Sequence, residues 1–197
     1  MQYTTEFKIL NDYFWAEMAA GLVIGKWLRR VESFELADKL LAHTQEEFEH
    51  AQFWKQRILE LGMEPIQVHH IEGKPNYFIY LNSIKTIEEF LCAVHAYEKR
   101  IPWHLNLEKT MDFWSPGNDV IMTEMIRQEL PHIGWVKEYL TSHYTPSFIE
   151  QTFFKASLIE NQTYLEMMKW YINSDDKNLQ KLGSQALLKA GTFSLSF

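Results

Sequence analysis

Apolar residues recur every three or four positions through most of the chain, in long stretches that short runs of turn-forming residues separate. This spacing is typical of amphipathic α-helices, and no pair of segments alternates as paired strands do. The pattern predicts helices over about residues 4–30, 33–61, 86–111, 118–143, 145–171 and 177–191. We therefore expect an all-α fold with four core helices and two appended helices.

The segment between the second and third predicted helices has a different pattern. Gly62, with Pro65 just beyond it, suits a left-handed end of the second helix. Residues 63–85 then lack a helical period and contain turn formers, which predicts a crossover running the length of a bundle. Within it, Tyr77–Leu81 is predicted as a short extended piece. The length of 197 residues fits one domain over 1–197, with the core bundle at 4–143 and the appended helices at 145–191.

Each core helix carries a glutamate in the middle of its apolar face. An unpaired carboxylate in a helix-bundle interior is very costly, so it must be protonated, paired or bound to a cation. Basic residues are missing from these faces, and their other polar side chains are mainly histidines, which bind metals. The four glutamates are Glu17, Glu47, Glu98 and Glu129.

The spacing of these residues repeats along the chain. Glu47 and His50 form a Glu-x-x-His motif, as do Glu129 and His132, and residues three apart on a helix lie on one face. Glu17 precedes Glu47 by 30 residues, and Glu98 precedes Glu129 by 31. Two helical hairpins of this length would bring four carboxylates and two imidazoles to the same level. That is the ligand set of a carboxylate-bridged dimetal site.

Composition excludes several other kinds of site. The single cysteine, Cys92, rules out an intrachain disulfide framework and any multi-cysteine metal site. The net charge of −7 argues against broad binding to nucleic acid or anionic membranes. Neither a secretory signal in residues 1–15 nor an apolar run long enough to span a bilayer is evident, so we expect a cytoplasmic protein.

The Glu…Glu-x-x-His…Glu…Glu-x-x-His pattern over about residues 4–143 resembles that of the ferritin-like di-iron carboxylate superfamily, which includes bacterioferritins, rubrerythrins and small bundle oxygenases. The resemblance implies two iron ions (Fe2+/Fe3+), with manganese as an alternative. It implies that Glu17 and Glu98 are terminal ligands, that Glu47 and Glu129 bridge the metals, and that His50 and His132 each bind one metal.

Differences from particular members of this superfamily narrow the choice of subgroup. One cysteine cannot form the rubredoxin module of typical rubrerythrins, and His95 stands where those proteins carry an extra glutamate. The two appended helices would cover surface that a 24-subunit shell needs for its contacts. These features favour an oxygenase-like member that is a monomer or a small homo-oligomer.

Five further residues are predicted close to the ligands. Tyr13, one turn before Glu17, is either a core aromatic or a residue that hydrogen-bonds a ligand or carries a radical. His43 and His95 face inward, as metal-associated nitrogens or, in the interpretation we favour, as core histidines bonded to a neighbour. Pro102 and Pro131 interrupt the third and fourth helices, and either open a pocket or mark a curved helix.

The leading hypothesis is a di-iron oxidoreductase that activates dioxygen to oxidise a small, mostly apolar substrate, with an electron donor that the sequence does not identify. A ferroxidase or peroxide-scavenging protein is the second hypothesis. A non-catalytic helical bundle with protonated glutamates, or a simple metal-binding module, is the third. A tRNA-modifying hydroxylase stays open within the first hypothesis because of two basic clusters, one at Lys26, Arg29 and Arg30, the other at Lys99 and Arg100.

Overall fold

The structure is a computed structural model that describes residues 3–67, 74–191, 193 and 197. In these ranges the chain is all-helical and contains no strand, which confirms the predicted fold class. The helices are α1 (Thr5–Gly25), α2 (Phe34–Glu60), α3 (Tyr77–Ser83), α4 (Ile87–Glu108), α5 (Asn118–His143), α6 (Pro146–Ile172) and α7 (Lys177–Ala190), with a 3-10 turn at Lys26–Arg29 after α1.

The helices begin and end where the sequence provides capping residues. The hydroxyls of Thr4, Ser33 and Thr86 each accept a hydrogen bond from the backbone N–H three residues on, at 3.2–3.3 Å. Such N-caps satisfy amide donors that have no partner inside the helix. Gly62 follows α2 with a φ of 73°, the left-handed conformation that glycine adopts at low cost. The predicted stop at this position is confirmed.

The prediction of an extended piece at Tyr77–Leu81 is wrong, because these residues begin α3. The side chain of Asn76 accepts a hydrogen bond from the Phe78 N–H at 2.9 Å and caps the helix. Tyr77 and Leu81, four residues apart, are both buried on one face. A single helical turn satisfies this spacing, so the short apolar run did not distinguish helix from strand. Residues 68–73 of the predicted crossover lie outside the described residues.

The chain divides into two compact units, Met1–Glu72 (unit 1) and Gly73–Phe197 (unit 2). Unit 1 is an antiparallel hairpin of α1 and α2. Tyr13 stacks on Trp54 with ring centroids 4.9 Å apart, and a Cβ at Gly21 would lie 2.8 Å from the Phe48 ring. The two helices therefore approach closely along a shared apolar seam.

Unit 2 is organised around α4, which is buried on most sides. α5 runs antiparallel to it, since Tyr144 reaches Glu88 near one end and Asp119 reaches Lys109 near the other. α6 packs along another side of α4, and α7 packs on α6. Cys92 of α4 has no exposed surface, and burial, followed by Glu88 and Glu89, raises the pKa of its thiol to about 12. It is the small core residue that the sequence predicts.

Among the helices of the described ranges, none combines the length and the apolar composition needed to cross a membrane. The long helices instead carry charged residues on their exposed faces.

Gly183→Ala is expected to destabilise the packing of α7 on α6. A Cβ at Gly183 would lie 2.6 Å from the backbone oxygen of Met168, so the backbone must shift, at about 1–3 kcal/mol. Gly134→Ala on α5 is the matched control, because nothing lies within 4 Å of its added methyl group. There alanine should stabilise the helix by about 0.5–1 kcal/mol. Urea unfolding measures both, and equal effects would contradict the described α6–α7 contact.

Candidate metal centre

Unit 1 buries two of the predicted glutamates. Glu17 on α1 and Glu47 on α2 are 6 % and 1 % exposed, and His50 is 1 % exposed. The Trp54 indole N–H donates to Oε1 of Glu17 at 3.1 Å, and Tyr13 stacks on the same indole. Trp54 therefore fixes the orientation of the Glu17 carboxylate, and Tyr13 supports Trp54.

The imidazole that contacts Glu47 is that of His43. Nε2 of His43 lies 3.0 Å from Oε1 of Glu47, and both side chains are 1 % exposed. His43 is thus a buried core histidine beside a neighbouring side chain, in agreement with the favoured interpretation. The two residues are four positions apart on α2 and share one face of the helix.

His50 instead lies close to the glutamate of the preceding helix. A ring nitrogen of His50 and a carboxylate oxygen of Glu17 lie within 4.8 Å of each other. A single ion could be bound by both atoms at this separation. The hairpin of unit 1 therefore brings together a carboxylate and an imidazole that are 33 positions apart in the sequence.

Unit 2 brings its three predicted ligands together. Nδ1 of His132 lies 3.2 Å from Oε2 of Glu129, on the same helix, and 3.8 Å from Oε2 of Glu98 on α4. All three residues are at most 1 % exposed. Burial lowers the pKa of His132, but the contacts with Glu129 and Glu98 outweigh burial and raise it to about 11. One imidazolium thus faces two buried carboxylates.

Two prolines lie inside the helices of these ligands. Pro102 is within α4 and Pro131 is within α5, and both helices continue through them. Proline has no amide hydrogen, so it cannot donate to the carbonyl four residues earlier. For Pro102 that carbonyl belongs to Glu98, and for Pro131 it belongs to Arg127. Each proline therefore removes one hydrogen bond from a turn close to a candidate ligand.

The buried glutamates and histidines can hold a metal ion. Carboxylate oxygen and imidazole nitrogen suit iron, manganese or zinc better than ions that seek thiolate. Glu46 and Glu49 on α2 are exposed, whereas Glu47 between them is buried, which confirms the helical phase inferred from the sequence. The buried candidate ligands are Glu17, His43, Glu47, His50, Glu98, Glu129 and His132.

His95 is buried but not bonded as expected. It is 1 % exposed, and neither of its ring nitrogens has a hydrogen-bond partner among the described residues. Its ring instead packs against Phe153 and Phe197, with centroids 5.4 and 5.1 Å away. Burial, followed by Lys99 and Lys137, lowers its pKa to about 4. His95 is therefore neutral at physiological pH.

A second polar network on α4 was missed by the sequence analysis. Arg100 forms two hydrogen bonds with the Glu160 carboxylate, at 3.0 and 2.9 Å, and both side chains are at most 4 % exposed. His104 accepts from the Tyr164 hydroxyl at 2.8 Å, and its other nitrogen lies 3.1 Å from Glu108. The four-residue spacing of Arg100, His104 and Glu108 was the available signal.

Glu160→Gln is expected to lower the free energy of unfolding by about 3 kcal/mol, because it leaves the Arg100 charge buried without a counter-charge. The double variant Arg100→Met/Glu160→Leu removes both charges and should recover most of this loss. Chemical denaturation of the three proteins tests the pair. A double variant less stable than Glu160→Gln would contradict the interpretation.

The buried neutral imidazole of His95 predicts a pH dependence of stability. Its pKa is about 4 in the folded protein against an ordinary value of 6.5, so protonation favours the unfolded chain. Its contribution is complete above pH 6.5 and is lost as the pH falls toward 4, by up to about 3 kcal/mol. The test is to measure unfolding of the wild type and of His95→Phe between pH 7.5 and pH 4. Over this range the free energy of unfolding should fall by about 3 kcal/mol less in the variant than in the wild type. Equal losses of unfolding free energy in the two proteins would refute this contribution of His95.

Comparisons of the chain with models of known protein families, with curated proteins and with solved structures found no match. Over the described residues the chain is all-helical, and each of its two compact units buries glutamate and histidine side chains of the kind that can hold a metal ion.

Proposed function

We propose that the protein is a di-iron oxidoreductase whose metal ligands are two carboxylates and one imidazole from each unit. The observation that carries the proposal is the same pairing in both units. In unit 1, Glu17 of α1 lies near His50 of α2. In unit 2, Glu98 of α4 lies near His132 of α5. The proposed ligands are Glu17, Glu47, His50, Glu98, Glu129 and His132.

The sequence repeat supports treating the two pairs as equivalent. Glu98 follows Glu17 by 81 residues, and His132 follows His50 by 82. In each unit a second glutamate, Glu47 or Glu129, stands three residues before the histidine. Each unit thus provides two carboxylates and one imidazole, which is half of a dimetal ligand set.

Charge favours the same conclusion. Four carboxylates in the described interior carry up to four negative charges, and burial makes each of them costly. The indole of Trp54 hydrogen-bonds Glu17 but carries no charge. As a metal ligand His132 would be a neutral imidazole, so two divalent cations would balance the four carboxylates in place of protons.

A pair of iron ions, when bound, supplies the chemistry that reduces dioxygen and oxidises a substrate. The chain's own residues bind and orient. Trp54 donates to Oε1 of Glu17 and so orients this carboxylate, while His43 contacts Oε1 of Glu47 or binds as an additional nitrogen ligand. The deep burial of these side chains excludes water. In this proposal the chain has a ferritin-like fold, manganese can replace iron, and an external electron donor completes the reaction.

The dimetal proposal predicts two metal ions per chain. Anaerobic addition of Fe(II) at about 100 times its dissociation constant should stabilise the protein by about 2.7 kcal/mol. For a chain of this size that is a rise of roughly 5–10 °C in the melting temperature. Metal analysis after desalting, together with thermal unfolding with and without Fe(II), measures both. Absence of bound metal and of any shift would favour the non-catalytic bundle.

Variants in each unit test the proposed ligands. Glu17→Ala in unit 1 and Glu98→Ala in unit 2 should each weaken binding of both metals by more than about 100-fold, as expected for loss of a direct ligand. Glu49→Ala is the matched control, because Glu49 is exposed on α2 beside His50. If Glu98→Ala leaves one metal bound with unchanged affinity, the units bind metals independently.

Oxygen chemistry separates the proposed activity from the ferroxidase alternative. Fe(II)-loaded protein exposed to oxygen should give a transient visible absorption band, and with a reductant it should turn over an apolar substrate. Glu129→Ala should abolish the band. Elution as a large shell that retains hundreds of iron ions, without substrate turnover, would favour the ferroxidase.

A further inference from the structure

His95 lies at the centre of a cluster in unit 2 that the proposed metal centre does not use. Its imidazole packs against Phe153 of α6 and Phe197, and these two rings contact each other with centroids 5.4 Å apart. Neither ring nitrogen has a hydrogen-bond partner among the described residues, although the side chain is 1 % exposed. A buried donor and acceptor left in this state cost free energy unless a ligand or water satisfies them.

Two lysines approach the same pair of aromatic rings. Nζ of Lys99 on α4 lies 5.9 Å from the centre of the Phe153 ring, and Nζ of Lys137 on α5 lies 5.4 Å from that of Phe197. Lys99 is partly buried, and Lys137 is exposed. Two positive charges therefore approach the same pair of contacting aromatic rings.

We infer that His95, Lys99 and Lys137 form a binding site for the carboxylate of a small organic acid with an aromatic or branched apolar body. The imidazole N–H and the two ammonium groups are donors, and a carboxylate accepts from all of them. Phe153 and Phe197, whose rings contact each other and the imidazole, provide the apolar surface on which the body of the acid packs.

A metal ion at His95 is disfavoured by the same geometry. The two ammonium groups repel a cation, and the nearest acid in sequence, Glu98, lies beside His132. An anion instead relieves the repulsion between the lysines and gives the buried imidazole a partner. The inference does not depend on bound iron, so it is tested on metal-free protein and separately from the dimetal proposal.

The test is calorimetric titration of the metal-free full chain with phenylacetate, using 2-phenylethanol as the neutral probe of similar shape. Phenylacetate should bind saturably with a dissociation constant below about 10 mM, and the alcohol should bind at least about 10-fold more weakly. Phenylacetate should also shift the ring-nitrogen NMR signals of His95. Absence of saturable binding, equal binding of the two probes or unshifted His95 signals would overturn the inference.

Variants assign the binding to this cluster. Lys137→Gln changes an exposed side chain, so the protein should fold, and it should weaken phenylacetate binding about 10-fold through the loss of one charged donor. Lys155→Gln, an exposed lysine of α6 paired with Glu89, is the matched control and should bind as the wild type does. His95→Phe should abolish binding. Equal affinities of Lys137→Gln and Lys155→Gln would refute the site.

Discussion

The cost of keeping carboxylates away from water is the constraint on which this molecule depends. Glu17, Glu47, Glu98 and Glu129 are all nearly inaccessible to solvent, within helices whose surroundings are otherwise apolar. Each must have a partner that offsets its lost hydration. The structure provides an indole for Glu17 and imidazoles for the other three. These partners contact the acids without fully balancing their charge, which is why a cation is the proposed completion.

The second polar network of unit 2 contains a buried pair of charges, Arg100 and Glu160, that balance each other. Arg100 and Glu160 meet through two parallel hydrogen bonds, and each supplies the other's missing charge. Tyr164, whose pKa is raised by burial, stays protonated and donates to His104. This network needs no ion to balance its ion pair, so we assign it to joining α4 and α6. The glutamates near His132 lack such a full balance of charge, and by this difference we distinguish candidate ligands from structural polar groups.

Helical periodicity predicted most of the fold and the faces of its side chains, but not which neighbours they meet. It gave the long helices to within a few residues, the burial of four glutamates and the exposure of Glu46 and Glu49. It failed at Tyr77–Leu81, where the run is too short to show its period. It left open which neighbour the Glu47 carboxylate meets, because spacing does not specify the rotamer that turns the carboxylate toward His43. The isolation of His95 depends on α6 and Phe197, which are remote in sequence.

The prolines make the two units mechanically unequal. α4 and α5 each lack one backbone hydrogen bond close to Glu98 and Glu129, whereas α1 and α2 contain no proline. A helical turn with fewer hydrogen bonds bends at lower energetic cost. Unit 2 can therefore adjust the curvature of α4 and α5 beside Glu98 and Glu129 more readily than unit 1 can adjust α1 and α2. In unit 1 the Tyr13–Trp54 stack and the Trp54–Glu17 hydrogen bond restrict the helices further.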